Sequence, residues 1–150
     1  MKKYLFLLIS ISILSSCLPE NETTFEVQTE ADILKYIQEK NLTAQRTNSG
    51  LYYVINNEGN GVRPNSSSKV TVAYKGYFLD GNTFDQSNSA GISFGLNRVI
   101  PGWTEGIQLF KEGGEGILIV PYQLGYGLQG RPSIPGGAVL VFDIKLISVN

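Results

Sequence analysis

Glycine is absent from the first 49 residues and occurs 17 times after them. Five of the six prolines follow the same rule, at or after residue 64. Glycine accepts backbone angles closed to other residues, and both types interrupt regular elements, so the two parts of the chain obey different backbone rules. Short strands joined by tight turns are expected after residue 50, and the body of the protein is assigned to residues 48–150. With 42% apolar and 17% charged residues, a chain of 150 residues has enough apolar surface for one core and too little charge for a disordered tail.

The expected strands can be placed by alternation. Leu51–Asn56 carries two tyrosines and two β-branched residues, and Asn57-Glu58-Gly59-Asn60-Gly61 closes it as a turn. From Val70 to Leu79, Val70, Val72 and Tyr74 share one face and Thr71, Ala73 and Lys75 the other. Asp80-Gly81-Asn82 supplies hairpin chemistry, and Thr83, Phe84 and Asp85 begin the returning strand. Glu115–Tyr122 and Ala138–Val149 complete the set; in the last, Leu140, Phe142, Ile144 and Leu146 face one way, opposite a wet face with Asp143 and Lys145. Between them, Gly102–Lys111 places Trp103, Ile107 and Phe110 at helical spacing, with Gly113-Gly114 as a stop. The pattern predicts an α+β fold: a twisted antiparallel sheet of about five strands wrapped around one short helix.

Composition removes most chemistries. No histidine and a single cysteine leave no Ser-His-Asp or Cys-His nucleophile system, no His or Cys metal cage and no internal disulfide. Twelve basic against 13 acidic side chains lack the electrostatic footprint of a nucleic-acid binder. Carboxylates, amides, hydroxyls and aromatic surfaces remain.

The N-terminal part reads as targeting sequence and tether. Met1-Lys2-Lys3 is a basic start to Tyr4–Leu14, 11 residues that are apolar or serine. At about 1.5 Å per helical residue, this run falls well short of a hydrocarbon core of roughly 30 Å, so it predicts a signal peptide rather than a permanent span. Leu14-Ser15-Ser16-Cys17 resembles the lipobox of bacterial lipoproteins, with the only thiol at the position that lipidation requires. Residues 1–16 are thus expected to be a lipoprotein signal peptide and 17–28 a lipidated tether. Removing 1–16 leaves 134 residues with 10 basic and 13 acidic side chains, a formal charge of −3. Leu18 after the cysteine, where no aspartate stands, resembles the outer-membrane default of enterobacterial sorting. Residues 29–47 are assigned to an amphipathic helix and its connection. Thr29 and Asp32 form a capping box before Ile33, Leu34, Tyr36 and Ile37, and the helix is expected to end near Asn41 with its apolar stripe packed on the body.

Six segments carry a family resemblance: Ala73-Tyr74-Lys75-Gly76, Leu79-Asp80-Gly81-Asn82-Thr83-Phe84-Asp85, Val99-Ile100-Pro101-Gly102-Trp103-Thr104-Glu105-Gly106, Leu124-Gly125-Tyr126-Gly127, Ile134-Pro135-Gly136-Gly137 and Leu140-Val141-Phe142-Asp143. In this order they resemble the signatures of FKBP-type peptidyl-prolyl isomerases, over roughly Ser49–Val149. The resemblance implies the FKBP-like fold and an isomerase domain at 48–150. It also implies a proline pocket with Trp103 as floor and Tyr74, Phe84, Val99, Ile100 and Phe142 as walls. Asp85 is then at the rim, Tyr126 is a hydroxyl donor and Ile134 lies on a flap. Two departures stand out. Gln86–Gly91 is short and holds no basic residue where many relatives carry an arginine near the aspartate, and Ile92, a further pocket residue, occupies a position where an aromatic is common. No role follows for Arg131. The implied partners are proline-containing exported polypeptides, macrolides of the rapamycin type and, through the anchor, a membrane; neither cofactor nor metal is implied, and a monomer is expected.

The residue types suit that chemistry on their own terms. Rotation about an X-Pro amide sacrifices resonance, a barrier of about 18–20 kcal/mol, but breaks no covalent bond. A dry aromatic pocket disfavours the charge-separated planar amide relative to the twisted one, and a few donors hold the carbonyl. The same groove could also serve a non-catalytic module that captures proline segments as a scaffold or holdase. The anchor is tested separately: Cys17→Ser is expected to abolish lipid labelling and move the protein out of the membrane fraction. Undiminished labelling of the serine variant would remove the anchor from this account.

Overall fold

The computed structural model describes residues 25–150; the expected signal peptide, Cys17 and the expected tether up to residue 24 lie outside the described residues. In chain order the elements are α1 (Glu30–Glu39), β1 (Gln45–Arg46), β2 (Tyr52–Asn57), β3 (Lys69–Tyr77), β4 (Thr83–Gln86), β5 (Ile92–Gly95), α2 (Pro101–Ile107), β6 (Glu115–Val120) and β7 (Leu140–Val149). Short 3-10 turns at Leu96–Arg98 and Tyr122–Leu124 lead into and out of the helical side. All pairings are antiparallel, in the order β1-β2-β6-β7-β3-β4, and β5 also pairs with β3.

The count of seven strands reconciles with the expected five once the sheet edge is considered. β4 and β5 lie on the same side of β3, one against Lys75–Tyr77 and the other against Lys69–Val72, as two halves of one split edge strand. The short segment between them is strapped to β3: Ser87 donates its N–H to the Tyr74 carbonyl and accepts from the Tyr74 N–H at its hydroxyl, both at 3.0 Å. β1 adds only two residues at the other edge. It also brings Gln45 and Arg46, assigned to the connection, into the sheet beside Tyr53 and Tyr52.

Alternation along β6 and β7 gives the sheet two apolar faces. Leu118, Val120, Leu140, Phe142, Ile144 and Leu146 pack under Trp103 and Ile107 of α2. The opposite face was expected to be wet, and near Asp143 and Lys145 it is exposed. Toward the start of β7 it carries Val139 and Val141, which with Ile119 and Tyr52 are buried beneath Ile33 and Tyr36 of α1. Helix α1 therefore packs on the body as expected, but on the other side of the sheet from α2. Its stripe is Ile33, Tyr36 and Ile37; Leu34, 100° around the helix from Ile33, is 52% exposed. Asp32 accepts from the Thr29 N–H at 2.6 Å at its start, and Asn41 turns the chain out of it at φ +51°.

Helix α2 is shorter than the periodicity predicts. After Ile107 the last turn tightens through Leu109 N–H to Gly106 O and Phe110 N–H to Ile107 O. Lys111 then donates to Glu58 O at 2.8 Å, so pairing with a distant turn ends the helix before Gly113 is reached. Phe110 is fully buried even so. The last residue assigned to the tether is joined to the body: Gln28 donates its N–H to Gly137 O and accepts from Val139 N–H at its side-chain oxygen.

Polar contacts complete the seat of α1. Tyr52 Oη and Arg46 Nε both donate to Glu30 Oε1, at 2.7 and 2.6 Å. The Tyr52 hydroxyl first, and Arg46 second, hold the Glu30 carboxyl below its ordinary value of 4.5. A carboxyl depressed by folding stabilises the fold above that value and loses the contribution as pH falls through the lowered one. Ile33→Ala is expected to destabilise the protein by about 2–5 kcal/mol through lost burial and a cavity, measured by denaturant unfolding. Proline-peptide affinity should hold, because the pocket described next is on the other face; a variant that loses both together would show that α1 shapes the pocket.

Candidate active site

Glycine lets helix and sheet come close. A Cβ on Gly102 would meet Val120 Cγ1 at 2.5 Å, and one on Gly106 would meet Leu118 Cδ1 at 2.6 Å. Without those atoms α2 lies against β6, and the ring of Trp103 reaches over the sheet, only 6% exposed. Thr104 Oγ1 donates to the Leu96 carbonyl at 2.5 Å and ties α2 to the turn before it.

Around the indole stand rings from three strands. Tyr74 of β3 is edge-on at 4.9 Å between centroids, Phe142 of β7 at 5.2 Å, and Phe94 of β5 is tilted at 5.3 Å. Phe84 of β4 meets Phe142 nearly perpendicularly at 5.6 Å. Behind them is Gly76, whose register partners are Phe142 on one side and Asp85 on the other. A Cβ there would be 2.7 Å from Phe84 and 2.9 Å from Phe142, so a bare backbone is what allows the two walls to meet.

Together these residues enclose a pocket of about 680 Å³. All ten residues expected in the site line it: Tyr74, Phe84, Asp85, Ile92, Val99, Ile100, Trp103, Tyr126, Ile134 and Phe142. Ile134 is buried in a tight hairpin in which Arg131 and Ile134 exchange both backbone hydrogen bonds, at 2.8 and 2.9 Å. That hairpin forms the flap, and Tyr126 stands at its root.

Four lining residues were not legible as site residues: Phe94, Arg98, Arg131 and Ser133. For Phe94 a signal existed. It sits opposite Val70, and Ile92 sits opposite Val72, so both share the face turned to α2, and Phe94 supplies an aromatic wall where Ile92 is aliphatic. No local pattern marks the two arginines or the serine, which loops deliver.

Polar groups gather at the rim. Tyr74 Oη donates to Asp85 Oδ2 at 2.6 Å. Burial pushes the Tyr74 phenol well above its ordinary value, and the Asp85 carboxylate adds to this, so Tyr74 stays protonated and remains a donor across the working range of pH. Arg131 Nη1 donates to Tyr126 Oη at 3.0 Å, and its guanidinium lies 5.1 Å from the centroid of that ring. On the floor, Trp103 Nε1 is buried without a partner among the described residues. Such a site binds an apolar ring between aromatic faces and presents hydroxyl and N–H donors to a neighbouring carbonyl. No nucleophile system stands in it.

Comparison with known proteins decides the family. The model of the FKBP-type peptidyl-prolyl cis-trans isomerases matches residues 61–147, more than half of the chain. The chain belongs to the FKBP-type peptidyl-prolyl isomerase family. It is similar to the isomerase FkpA of Escherichia coli (strain K12), 44% identical over 118 residues, covering 77% of this chain and 43% of that protein. To FkpA of Buchnera aphidicola it is 41% identical over 127 residues, covering 83% of this chain and 50% of that one. The chain thus spans about half the length of these relatives. Among solved structures, E. coli FkpA superposes with a TM-score of 0.74 at 37% identity, over 80% of this chain and 58% of the other. A peptidyl-prolyl isomerase of Pseudomonas syringae superposes at 0.71 with 30% identity, over 84% of this chain and 98% of its own. The FKBP-like α+β fold expected from the sequence is therefore the fold observed.

The geometry behind Phe84 yields a test. Gly76→Ala is expected to push the Phe84 or Phe142 ring into the pocket, weakening binding of a proline peptide by roughly tenfold while the protein stays folded. Peptide titration with a parallel unfolding curve checks it; unchanged affinity would mean that neither ring borders the bound segment.

Proposed function

We propose that this chain catalyses cis-trans isomerisation of X-Pro bonds in exported polypeptides and works from the bacterial cell envelope, lipid-anchored through Cys17 at the outer membrane. The observation that carries the catalytic reading is the aromatic enclosure: Trp103 with Tyr74, Phe94 and Phe142 packed about it and Phe84 against Phe142. Membership in the isomerase family supports it further. The envelope location rests on the basic start, the apolar run and the lipobox-like Leu14-Ser15-Ser16-Cys17.

In this mechanism the prolyl ring enters between Trp103, Phe84 and Phe142, and water is excluded from the amide. The planar amide, the more charge-separated form, gains least from such surroundings, so the barrier to twisting falls. Tyr126, the Trp103 N–H and the Tyr74–Asp85 pair supply the polar contacts that hold the neighbouring carbonyls. Val99, Ile100, Ile134 and Ile92 complete the apolar lining. Macrolides of the rapamycin type fit the same requirement of an apolar ring beside a carbonyl acceptor. The enzyme needs no cofactor for this step, since rotation about the amide breaks no covalent bond, and it is proposed to act as a monomer.

The test is a protease-free isomerisation assay on a series of X-Pro peptides. The wild-type protein is expected to accelerate cis-to-trans conversion without added metal, most strongly with an apolar residue before proline. Phe84→Ala opens a wall to water along the whole amide and should lower kcat/KM roughly tenfold or more, whereas Asp85→Asn alters the rim alone and should cost about two- to threefold. If the folded wild type gives the uncatalysed rate with every peptide yet binds them in titration, the catalytic reading fails and a proline-binding module takes its place.

A further inference from the structure

Charge is unevenly divided between the pocket and the rest of the molecule. The chain carries a formal charge of −1. The pocket lining has the opposite sign: Arg98 and Arg131 against the single carboxylate of Asp85, which is engaged by the Tyr74 hydroxyl at 2.6 Å. Both arginines are exposed at the mouth. The ion pairs of the described residues join Lys35 to Glu39, Arg46 to Glu30, Arg63 and Lys111 to Glu58, and Lys145 to Glu115. Neither Arg98 nor Arg131 has a carboxylate within ion-pair distance among them.

Arg131 is also held in place. Its Nη1 is bonded to Tyr126 Oη, its Cζ lies 5.1 Å from the centroid of the same ring, and its backbone is clamped by the two bonds to Ile134. One nitrogen of the guanidinium is thereby used, and Nε and Nη2 make no hydrogen bond within the described residues. An oriented fork of this kind matches the two oxygens of a carboxylate, and little side-chain entropy remains to be lost on pairing. A flexible surface arginine would offer much less.

We propose that Arg131, with Arg98 as a second cation in the pocket lining, makes this site select proline segments that carry an acidic side chain near the X-Pro bond. The inference deepens the isomerase reading and rests on the same pocket: the prolyl ring occupies the aromatic enclosure while a Glu or Asp of the segment meets the cations at the rim. Asp85 disfavours a second carboxylate on its own side of the pocket, so the preference belongs to the flap side. A positive mouth on a negative body also steers acidic segments inward during encounter.

The experiment measures Kd by titration for proline peptides that keep one apolar residue before the proline and carry Glu, Gln or Lys at each other position within two residues of it, so the readout does not require turnover. At low salt the wild type is expected to bind a Glu peptide about fivefold more tightly than its Gln counterpart at one or more positions, with Lys weaker than Gln. At roughly 0.5 M salt the ratio should shrink toward unity. Arg98→Gln with Arg131→Gln should bring the Glu/Gln ratio to about one, Arg131→Lys should restore only part of it, and charge reversal by Arg98→Glu with Arg131→Glu should turn the preference toward Lys. A wild-type ratio of one at every position, or a ratio that survives in the double glutamine variant, overturns the proposal. Failure of catalysis with these ratios intact would instead overturn the isomerase reading and leave the charge selection standing.

Discussion

Two missing side chains, at Gly102 and Gly106, set the distance between α2 and β6 on which the pocket depends. Any Cβ at either place would collide with Val120 or Leu118 and lift the helix from the sheet. Lifting the helix would carry Trp103 away from Tyr74, Phe94 and Phe142, whose rings all lie within 5.3 Å of the indole between centroids. The floor of the site is thus positioned by bare helix backbone lying against the branched side chains of Val120 and Leu118 in a packed core, which leaves few ways to relax. Gly76 plays the same part for the walls, since its bare Cα is where Phe84 and Phe142 come together.

The sheet that bears this load is covered on both sides, and the two cores have different tasks. Under α2 the buried residues extend without a break into the pocket walls, so the packing that stabilises the body also shapes the site. Under α1 a smaller cluster of Ile33, Tyr36, Tyr52, Ile119, Val139 and Val141 closes the reverse face at the start of β7. That cluster holds the sheet without touching the pocket, and the Tyr52–Glu30–Arg46 contacts orient the helix over it. Val139 and Val141 explain why β7 is apolar on both faces at its start and alternates only toward Asp143 and Lys145.

Polar chemistry at the rim is assembled from pieces distant in the chain. Tyr74 and Asp85 meet because β3 and β4 are joined by a hairpin at Asp80–Asn82, with Phe78 N–H donating to Asn82 O and Gly81 N–H to Phe78 O. Arg131 meets Tyr126 because the flap folds back on itself between Arg131 and Ile134. The first pair keeps a carboxylate occupied, and the second keeps a cation oriented toward the mouth. The short Gln86–Gly91 segment brings no basic group to Asp85, so the positive charge at this site comes from the turn before α2 and from the flap.

Much of this was legible in the chain alone. Confinement of glycine to residues 50 and beyond, the alternation in β3 and β7, the Thr29–Asp32 cap and the hairpin at Asp80–Asn82 are local signals, set by which backbone angles and which faces a residue tolerates. Nine of the ten residues expected in the pocket lie in ordered motifs, Ile92 standing outside them, and all ten line one cavity. Only the tertiary structure decided the rest. Which face of the sheet α1 covers depends on contacts more than 80 residues apart, such as Ile33 with Ile119 and Val139, and no periodicity within the helix encodes them. The end of α2 is set by Lys111 pairing with Glu58, and the split of the edge strand by the strapping of Ser87 to Tyr74. Arg98 and Arg131 look like ordinary surface residues until their loops bring them to one mouth. Local sequence selects the elements because backbone preference acts over a few residues; packing and charge placement act through space, where sequence distance carries no information.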